Sequence, residues 1–368
     1  MNPLSSQRFA PPHSTASWAA AEESASTHTL SGRLTEAPPA AARSGSSTGR
    51  KSLLKAALLP LLVPAADAYR LTMVGREQPA FDNVFSHLSV ATDKPVDMVR
   101  VHIPDDGYDF IRNLAANGPD GTVVMSDPAR LAHLRQGQDT SAAAVRTALS
   151  GLQLKVEPLN FPVNFANLAF DADLDLLVLA LPAAREPHCS WIHPTLGCNT
   201  QIRQLEKAFG APANVLKFEP SPAVEQTGVP QGSSCYDLDT YYFLMRNARG
   251  EHVALVYPPC IRESPSSKAA AKSGSVGRAQ AMSMLEELDV TIVEVSEADF
   301  LRRACNCVSP EPGQIVFTEP VSKALRNRLA KLHVESVALE DFAPGREFGI
   351  HCLTLELPQP PRLAKRDL

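Results

Sequence analysis

Short apolar runs bounded by glycine, proline or aspartate recur along the chain from residue 69 onward, and they predict strands. Between several of these runs, apolar residues recur every three or four positions, which predicts helices that pack on one face. The predicted strands are residues 69–74, 96–103, 122–125, 154–157, 174–181, 214–218, 239–244, 252–257, 290–295, 305–308, 314–318, 334–339 and 348–358. The predicted helices are residues 142–149, 201–209, 279–288 and 321–332. Mixed elements in this order are typical of an α/β fold.

The last third of the chain repeats one order of elements, namely strand, strand, helix and strand. Full or weaker versions of this unit occur at residues 122–157, 174–218, 239–295 and 305–339. Matching elements are offset by about 45 to 65 residues, a range in which repetition indicates an array or a propeller. Residues 268–277 are rich in serine, glycine and lysine, and they are predicted to be an inserted surface loop. Five such units fit the length between residues 69 and 358.

The first 66 residues differ in composition from the rest of the chain. Most of them are serine, alanine, proline, threonine and glycine, which bury too little apolar surface to offset the entropy of ordering. Residues 52–66 are apolar, but this run is too short to span a bilayer. Disorder with a short docking helix is the first interpretation, and targeting is the second, because Arg50 and Lys51 precede the apolar run. We predict an N-terminal segment, a globular domain and a flexible tail, at residues 1–66, 67–360 and 361–368.

Composition and charge narrow the class of protein. The 368 residues are 44% hydrophobic, which is enough for one large domain or two ordinary ones. The net charge of −5 argues against a nucleic-acid partner, and no run predicts a membrane span. Seven cysteines without regular spacing indicate a reducing compartment, so we predict a cytoplasmic location, with organelle targeting by residues 1–66 as the alternative. Cys305 and Cys307 lack the second pair of ligands that a zinc site needs.

The last apolar run, residues 348–358, contains a cysteine near its start. A glycine precedes Cys352 and a proline ends the run, so the thiol would lie at the beginning of a strand, where a side chain can face a cavity. Such a thiol can be a covalent nucleophile, because part of it is thiolate. The alternative is a small buried core residue, which is the usual role of a free cysteine.

The residues around Cys352 carry a resemblance to a known family. Gly-Ile-His-Cys-Leu-Thr at residues 349–354, followed by an apolar run and Pro358, resembles the C-terminal nucleophile segment of the guanidine-modifying (pentein) superfamily. That superfamily includes agmatine and arginine deiminases, dimethylarginine dimethylaminohydrolases and amidinotransferases. The resemblance implies a five-unit α/β propeller, a small guanidino substrate and a covalent adduct on Cys352. It implies no metal or organic cofactor, and it leaves the chain free to form an oligomer.

Chemistry on a guanidino compound makes definite demands on a site. The guanidinium is a planar cation with five donors, so carboxylates bind it edge-on through paired hydrogen bonds. A thiolate attacks its central carbon, and an acid/base group, usually histidine, protonates the leaving nitrogen and activates the second nucleophile.

Asp237-Leu238-Asp239-Thr240 occupies the place where family members commonly have His-Leu-Asp-Thr. By this resemblance Asp239 binds the guanidinium, and Asp237 replaces the catalytic histidine. An aspartate has a reference pKa of about 4, so it is a poor acid at neutral pH unless burial or a second carboxylate raises its pKa. Two positions apart on a strand, Asp237 and Asp239 would face the same side and repel each other. The alternative is that both are solvated acids at the end of a strand.

Other positions depart further from the family pattern. Gly345 and Gly349 bracket residues 346–348, where the family has a run of glycines that lets the chain pass close to the substrate. An acidic turn found early in family members has no counterpart that we can match. Acidic residues lie only near its expected place, at Asp171, Asp173 and Asp175.

His351 is the neighbour of the candidate nucleophile. Adjacent side chains on a strand point to opposite faces, so we predict that His351 is structural and does not meet Cys352.

Three interpretations of the chain remain. The first is an enzyme, a hydrolase or amidinotransferase in which Cys352 attacks the substrate, Asp239 binds it and Asp237 assists. The second is a non-catalytic member of the superfamily that binds a ligand or a partner. The third is an unrelated α/β domain with Cys352 in its core. The position of Cys352 relative to Asp239, more than a hundred residues earlier, separates them.

Overall fold

The computed structural model of the chain describes residues 70–75, 98–103, 111–131, 137–182, 195, 197–221, 235, 237–339 and 349–357. The predicted N-terminal segment and the predicted tail, residues 1–66 and 361–368, lie outside these residues. Residues 340–348, which include Gly345, also lie outside them. In the part of the chain that is described, no helix is long and apolar enough to cross a membrane.

Strands and helices follow one another through the described residues largely where the pattern predicts them. The strands are β1 (Arg70–Gly75), β2 (Met98–His102), β3 (Ala115–Asn117), β4 (Thr122–Ser126), β5 (Lys155–Leu159), β6 (Leu168–Asp171), β7 (Leu176–Ala180), β8 (Asn214–Phe218), β9 (Tyr242–Arg246), β10 (His252–Val256), β11 (Ser275–Val276), β12 (Thr291–Glu294), β13 (Gln314–Phe317), β14 (Glu335–Ala338) and β15 (Thr354–Leu357). The helices are α1 (Pro128–Leu131), α2 (Gln138–Gly151), α3 (Asn199–Ala208), α4 (Lys268–Lys272), α5 (Arg278–Glu287), α6 (Glu297–Phe300) and α7 (Lys323–Lys331).

The strands of the described residues form five sheets, and none of these sheets is closed. One arrangement recurs, in which a strand pairs antiparallel with the next and the second pairs parallel with a third. It is seen in β3-β4-β5, β6-β7-β8 and β9-β10-β12. The helices α2, α3 and α5 lie in the second connection of these units, because parallel neighbours require the chain to return to the same end of the sheet. The fold is therefore mixed α/β, as predicted.

The two remaining sheets extend this arrangement to the ends of the described chain. β13 and β14 pair in parallel on either side of α7, and an antiparallel bridge joins Val308 to Val316. β15 pairs antiparallel with β1, and β1 pairs parallel with β2. The last described strand therefore lies beside the first.

β7 is buried at every position and separates two parts of the core. Leu176 and Val178 belong to one apolar cluster, whereas Leu177 and Leu179 belong to another. Successive side chains of a strand point to opposite faces, so a strand with two buried faces is apolar throughout. This is why residues 174–181 give a strong strand signal.

Two local predictions of secondary structure are wrong. Residues 268–277 are not a loop, since they contain α4 and β11, and β11 pairs in parallel with β8. The hydroxyl oxygen of Ser267 accepts a hydrogen bond from the backbone N–H of Ala270 at 3.1 Å and caps the start of α4. Residues 305–308 form no strand beyond the isolated bridge at Val308.

Both strands that were predicted to carry site residues begin later than predicted. β9 begins at Tyr242, and a 3-10 turn, Leu238–Thr240, precedes it. β15 begins at Thr354, and a second 3-10 turn, Ile350–Leu353, precedes it. The candidate residues therefore lie on tight turns and not on extended strands.

A disulfide joins Cys235 to Cys260. It fixes the segment just before Asp237 to the turn that follows β10. Disulfides are rare in reducing compartments, so this bond goes against the reducing environment that the odd cysteine count suggested, and the location of the chain stays a prediction. The free cysteines of the described residues are Cys305, Cys307 and Cys352.

Candidate functional site

The turn before β9 presents the two candidate aspartates. The hydroxyl of Thr240 donates to the backbone carbonyl of Asp237 at 2.7 Å, and the backbone N–H of Tyr241 donates to the carbonyl of Leu238 at 3.1 Å. Threonine hydroxyls commonly stabilise such turns by bonding to the backbone three residues away. Asp239 is buried in this turn, with 4% of its surface exposed.

The turn before β15 presents Cys352. The backbone N–H of Ile350 donates to the hydroxyl oxygen of Thr318 at 2.9 Å, and the hydroxyl of Thr354 donates to the carbonyl of Ile350 at 3.1 Å. These bonds hold a helical turn where the pattern predicts a strand. The alternation of faces applies to strands, so the reason for separating His351 from Cys352 does not hold here.

Cys352 and His351 meet at one oxygen of Asp239. The sulfur of Cys352 lies 3.6 Å from Oδ2 of Asp239, and Nδ1 of His351 lies 3.0 Å from the same oxygen. Residues that are 113 positions apart in the chain therefore share one site, as the sequence analysis expected of Cys352 and Asp239. His351 and Cys352 share this acceptor, whereas the sequence analysis expected their side chains on opposite faces, and the structural role of His351 stays a prediction.

Asp237 has different partners from Asp239. Its Oδ1 accepts hydrogen bonds from the side-chain amides of Asn164, at 2.8 Å, and Asn167, at 3.2 Å. Asn167 also accepts from the backbone N–H of Leu238 at 3.2 Å, so the turn before β6 holds the turn before β9. The strand geometry predicted that the two carboxylates share one environment, and in the turn they do not.

Asn306 contacts Cys352 through both ends of its side-chain amide. Its Nδ2 donates to the sulfur of Cys352 at 3.0 Å, and its Oδ1 accepts from the backbone N–H of Cys352 at 3.3 Å. The thiol therefore lies between an amide donor and a carboxylate acceptor.

A cavity of about 80 Å³ lies beside Asp239. The charged groups among its described lining residues are three carboxylates and one guanidinium, at Asp171, Asp239, Glu356 and Arg112. His351 also lines it, whereas Cys352 does not. The cavity is therefore acidic. Asp239 lines the cavity and also contacts the Cys352 sulfur, so this carboxylate links the cavity to the thiol. His351 lines the cavity and contacts the same carboxylate.

One oxygen of Asp239 is left without a partner. Oδ1 is buried and accepts no hydrogen bond from any residue that the structure describes. A buried polar atom in this state costs about 1–3 kcal/mol, and few occur in native proteins. A donor on a bound ligand would satisfy it.

The surroundings of Cys352 disfavour its thiolate. Burial raises the pKa of the Cys352 thiol well above its ordinary value, and the negative charges of Asp239 and Asp237 act in the same direction. Burial also lowers the pKa of the Arg112 guanidinium, while Asp239 and Glu356 oppose that change. A further cation next to Asp239 would favour the thiolate, because opposite charges stabilise each other.

A second group of polar residues lies at the end of β6. Asp171, Asp173 and His252 carry possible metal-ligand atoms within 4.8 Å of one another. Asp171 pairs with His252 at 3.4 Å, and Asp173 pairs with Arg246. Burial alone would raise the pKa of Asp171, but the hydrogen bonds from His252 and from the backbone of Leu174 lower it overall. An arginine already balances this charge, so we assign no metal to the group.

Comparison with known proteins rests on structure, since no protein-family model and no curated protein sequence matches the chain. ArgZ, an arginine dihydrolase from the ornithine-ammonia cycle in Cyanobacteria, matches 80% of this chain with a TM-score of 0.54 and 19% identity. The chain therefore shares the fold of this arginine dihydrolase. The resemblance to the pentein superfamily drawn from the sequence is thereby confirmed at the level of the fold.

The chain spans less than half of ArgZ but nearly all of the isolated N-terminal domain of ArgZ. The chain covers 40% of full-length ArgZ but 99% of its isolated N-terminal domain, which was solved bound to product and is 17% identical with a TM-score of 0.53. An agmatine deiminase of C. jejuni, a cysteine-to-serine mutant with substrate bound, matches 81% of this chain over 95% of its own length. Its identity is 13% and its TM-score is 0.50.

Sequence reasoning missed most polar residues around the two turns. The missed residues are Arg112, Asn164, Asn167, Asn306 and Glu356. Single residues of these types have no diagnostic spacing, although two asparagines three positions apart were an available signal. Of the nearby acids, Asp171 lines the cavity, whereas Asp173 and Asp175 do not.

Proposed function

We propose that the chain is a hydrolase of a small guanidino compound and that Cys352 is its covalent nucleophile. The observation that carries the proposal is the position of Asp239. One of its oxygens is buried and unpartnered among the described residues, and the other lies 3.6 Å from the Cys352 sulfur. A guanidinium bound to the first oxygen would lie close to the thiol.

The charge of the cavity supports a cationic ligand. Asp171, Asp239 and Glu356 outnumber the single guanidinium of Arg112 among the described lining residues. A guanidinium carries five N–H donors, and one of them can satisfy the unpartnered oxygen of Asp239. The proposal agrees with the fold, because ArgZ and agmatine deiminase act on such compounds, as their names state.

The proposed reaction has two halves. The thiolate of Cys352 forms a bond to the central guanidinium carbon, and the bond to the leaving nitrogen breaks once that nitrogen has accepted a proton. Water then attacks the sulfur-bound carbon, the carbon–sulfur bond breaks, and a ureido product leaves with the thiolate restored. An amine in place of water would make the same site an amidinotransferase.

Proton transfer falls to the groups around the thiol. Asp239 already accepts a hydrogen bond from the Cys352 thiol and from His351, so the three can pass a proton along one chain. Asp237 replaces the family histidine, and two amide donors fix the orientation of its ionised carboxylate. We assign it the role of a base that assists the attacking water.

The substrate itself would prepare the nucleophile. Burial and the two aspartates hold the pKa of Cys352 high, so the free protein carries mostly thiol at neutral pH. A bound guanidinium offsets the charge of Asp239 and lowers that pKa. Alkylation of Cys352 by iodoacetamide should therefore accelerate when a non-reacting guanidinium ligand is present.

We also propose that the repeating units close into a five-unit propeller within a domain of residues 67–360. The pairing of β15 with β1 supports this arrangement, because it brings the last described strand to the first.

The test of the reaction is turnover of a guanidino panel by the full chain. L-arginine, agmatine and methylated arginine would each be incubated with protein, with ureido product and ammonia measured. We expect product with at least one of them and a loss of about 1,000-fold or more in Cys352→Ser. Cys307→Ser is the matched control and should keep activity. Cys307 is also a free buried cysteine, and its thiol donates to the backbone carbonyl of Cys305.

A second candidate function is guanidinium binding without catalysis. The aspartate in place of the family histidine favours it, as does the raised pKa of the thiol. Saturable binding by calorimetry with no product, unchanged in Cys352→Ser, would support this candidate. Turnover that is lost in Cys352→Ser and kept in Cys307→Ser would exclude it.

A further inference from the structure

We propose that Asn306 is the positioning residue of the nucleophile, holding the Cys352 side chain toward Asp239 and stabilising its thiolate. The inference rests on the proposed function in assigning the nucleophile, but it concerns the reactivity of the thiol and can be tested without a substrate. No feature of the family pattern considered above assigns a role to this asparagine.

The contact between the two residues fixes both of them. Nδ2 of Asn306 donates to the sulfur at 3.0 Å while Oδ1 accepts from the backbone N–H of Cys352 at 3.3 Å. Only one orientation of the amide makes both bonds, because oxygen must face the backbone N–H. Asn306 is buried, with 1% of its surface exposed, so water does not compete for either bond.

Neighbouring residues lock Asn306 in place. Its backbone N–H donates to the carbonyl of Arg303 at 2.9 Å, and its backbone carbonyl accepts from the hydroxyl of Thr318 at 3.2 Å. The oxygen of that hydroxyl accepts from the backbone N–H of Ile350, so one threonine ties the asparagine to the turn that carries Cys352.

Gly349 leaves the space that the amide occupies. A Cβ atom at this position would lie 2.3 Å from Oδ1 of Asn306 and 2.7 Å from its Cγ. The backbone of Gly349 is extended, so any residue could adopt its conformation, and the close approach of Asn306 is what requires glycine. The glycine before the nucleophile thus makes room for an asparagine, whereas the family pattern suggested that it makes room for substrate.

The two neighbours of the sulfur act differently on its two protonation states. The thiol can donate to Oδ2 of Asp239 and accept from Asn306 at the same time. The thiolate loses the first bond and is repelled by that carboxylate, but it keeps the second. Asn306 therefore stabilises the reactive form, as a hydrogen-bond donor to the charged state does.

Four charged or titratable groups act on the sulfur or on the carboxylate beside it. Asp239, Asp237 and Arg112 act on the sulfur through their charge, and His351 bonds to the same oxygen of Asp239. Asn306 contributes no charge of its own, so Gly349→Ala, which displaces its amide without changing any charge, separates its effect from theirs.

The experiment measures alkylation of Cys352 against pH. Iodoacetamide and 2-chloroacetamidine would be reacted with the full chain, and labelling at Cys352 would be followed by mass spectrometry between pH 6 and 10. We expect Asn306→Asp to move the midpoint upward and to slow labelling about ten-fold below it, which corresponds to about one pKa unit. The aspartate keeps an acceptor for the backbone N–H but removes the donor to sulfur and adds a negative charge.

Two further variants separate positioning from folding. Gly349→Ala should displace the Asn306 amide and change the profile in the same direction, and it keeps the test possible if Asn306→Asp does not fold. Asn247→Asp makes the same substitution at another buried asparagine, which bonds to Glu251 in the turn before β10, and its profile should match wild type. A midpoint that stays at the wild-type value in folded Asn306→Asp or Gly349→Ala would overturn the proposal.

Failure of this inference differs from failure of the proposed function. If no guanidino compound is turned over but the alkylation midpoint shifts as expected, the hydrolase proposal fails and the role of Asn306 in holding the thiol stands. If wild type turns over substrate and Asn306→Asp keeps both turnover and midpoint, only the inference fails.

Discussion

Two aspartates in this chain are almost equally buried, yet their surroundings differ. Asp299, with 2% of its surface exposed, has both oxygens bonded. Oδ1 accepts from the backbone N–H of Ser322 at 2.6 Å, and Oδ2 accepts from the hydroxyls of Ser296 and Ser322, each at 2.8 Å. These serines cap α6 and α7, so Asp299 joins the starts of two helices.

Asp239, with 4% exposed, has one oxygen shared by Cys352 and His351 and one without a described partner. Folding gains nothing from an unsatisfied buried carboxylate oxygen, because its lost hydration is not replaced. Burial alone therefore does not distinguish an acid that stabilises the fold from one that is available to a ligand. The distinguishing feature is whether the protein itself supplies every hydrogen bond that the carboxylate can accept.

The largest effect should come from removing the structural acid. Asp299→Ala leaves the donors of Ser296 and Ser322 without their acceptor, so we expect the free energy of unfolding to fall by about 3 kcal/mol. Urea denaturation followed by circular dichroism measures this change. A loss below about 1 kcal/mol would mean that water replaces the carboxylate and that the two helix starts do not depend on it.

Asp239, which we propose binds the substrate, should show the opposite behaviour. Asp239→Asn keeps the shape of the side chain but removes the charge that binds a guanidinium, so affinity for L-arginine or agmatine should fall about 100-fold, or about 2.7 kcal/mol. Stability should change by less than about 1 kcal/mol, because wild type already carries an unsatisfied oxygen there. Calorimetric titration and denaturation of the same samples give both values.

Asp299→Asn is the matched control for this substitution. It should weaken stability and leave affinity unchanged. If Asp239→Asn lost as much stability as Asp299→Asn, Asp239 would be a structural acid and the contrast between the two residues would disappear.

Sequence pattern predicted the elements that bury continuous apolar surface. The strand at residues 174–181 and the helix at residues 201–209 correspond to β7 and α3, because their signals come from periodic apolar positions. The fold class and the convergence of Cys352 with Asp239 also followed from the sequence, through a short motif.

The pattern failed at the site because distant bonds decide the local conformation there. Ile-His-Cys-Leu resembles a strand by its own composition, yet the bond from Ile350 to Thr318, 32 positions away, holds a 3-10 turn. Asn306 and Cys352 are 46 positions apart, and Asn164 and Asp237 are 73 apart. No periodicity connects single polar residues at such distances, so only the folded chain brings them together.

A smaller effect should come from Arg112, whose guanidinium would compete with the proposed cationic ligand for the acidic cavity. It is half-buried and donates to the carbonyl of Leu168 at 3.0 Å, while its charge interacts with Asp239 and Glu356. Arg112→Gln leaves those carboxylates without an internal cation, so affinity for agmatine should rise about ten-fold, or about 1.4 kcal/mol. Calorimetric titration measures the change.

Arg303→Gln is the control for Arg112→Gln, because Arg303 pairs with Glu319 at 2.6 Å and does not line the cavity. Its affinity for agmatine should equal that of wild type. Weaker binding in Arg112→Gln would show that this arginine holds the ligand, and the cavity would then be selective for a compound with a negative group.

The smallest effect, on the pKa of the Cys352 thiol, should come from Asp237. Like Asp299, it accepts hydrogen bonds from other side chains of the protein. Like Asp239, it acts on the thiol through its charge. Its charge raises the pKa of Cys352, although burial and the charge of Asp239 have larger effects on that pKa. Removing that charge in Asp237→Asn lowers the pKa of the thiol, so the alkylation profile should move to lower pH by about half a unit. Labelling by iodoacetamide should be about three-fold faster below the midpoint and unchanged well above it.

Asp171→Asn, which changes a cavity carboxylate that does not act on the thiol, should leave the alkylation profile in place. A profile that moves to higher pH in Asp237→Asn would mean that Asp237 acts on the thiol by orienting the turn before β9 through Asn164 and not through its charge.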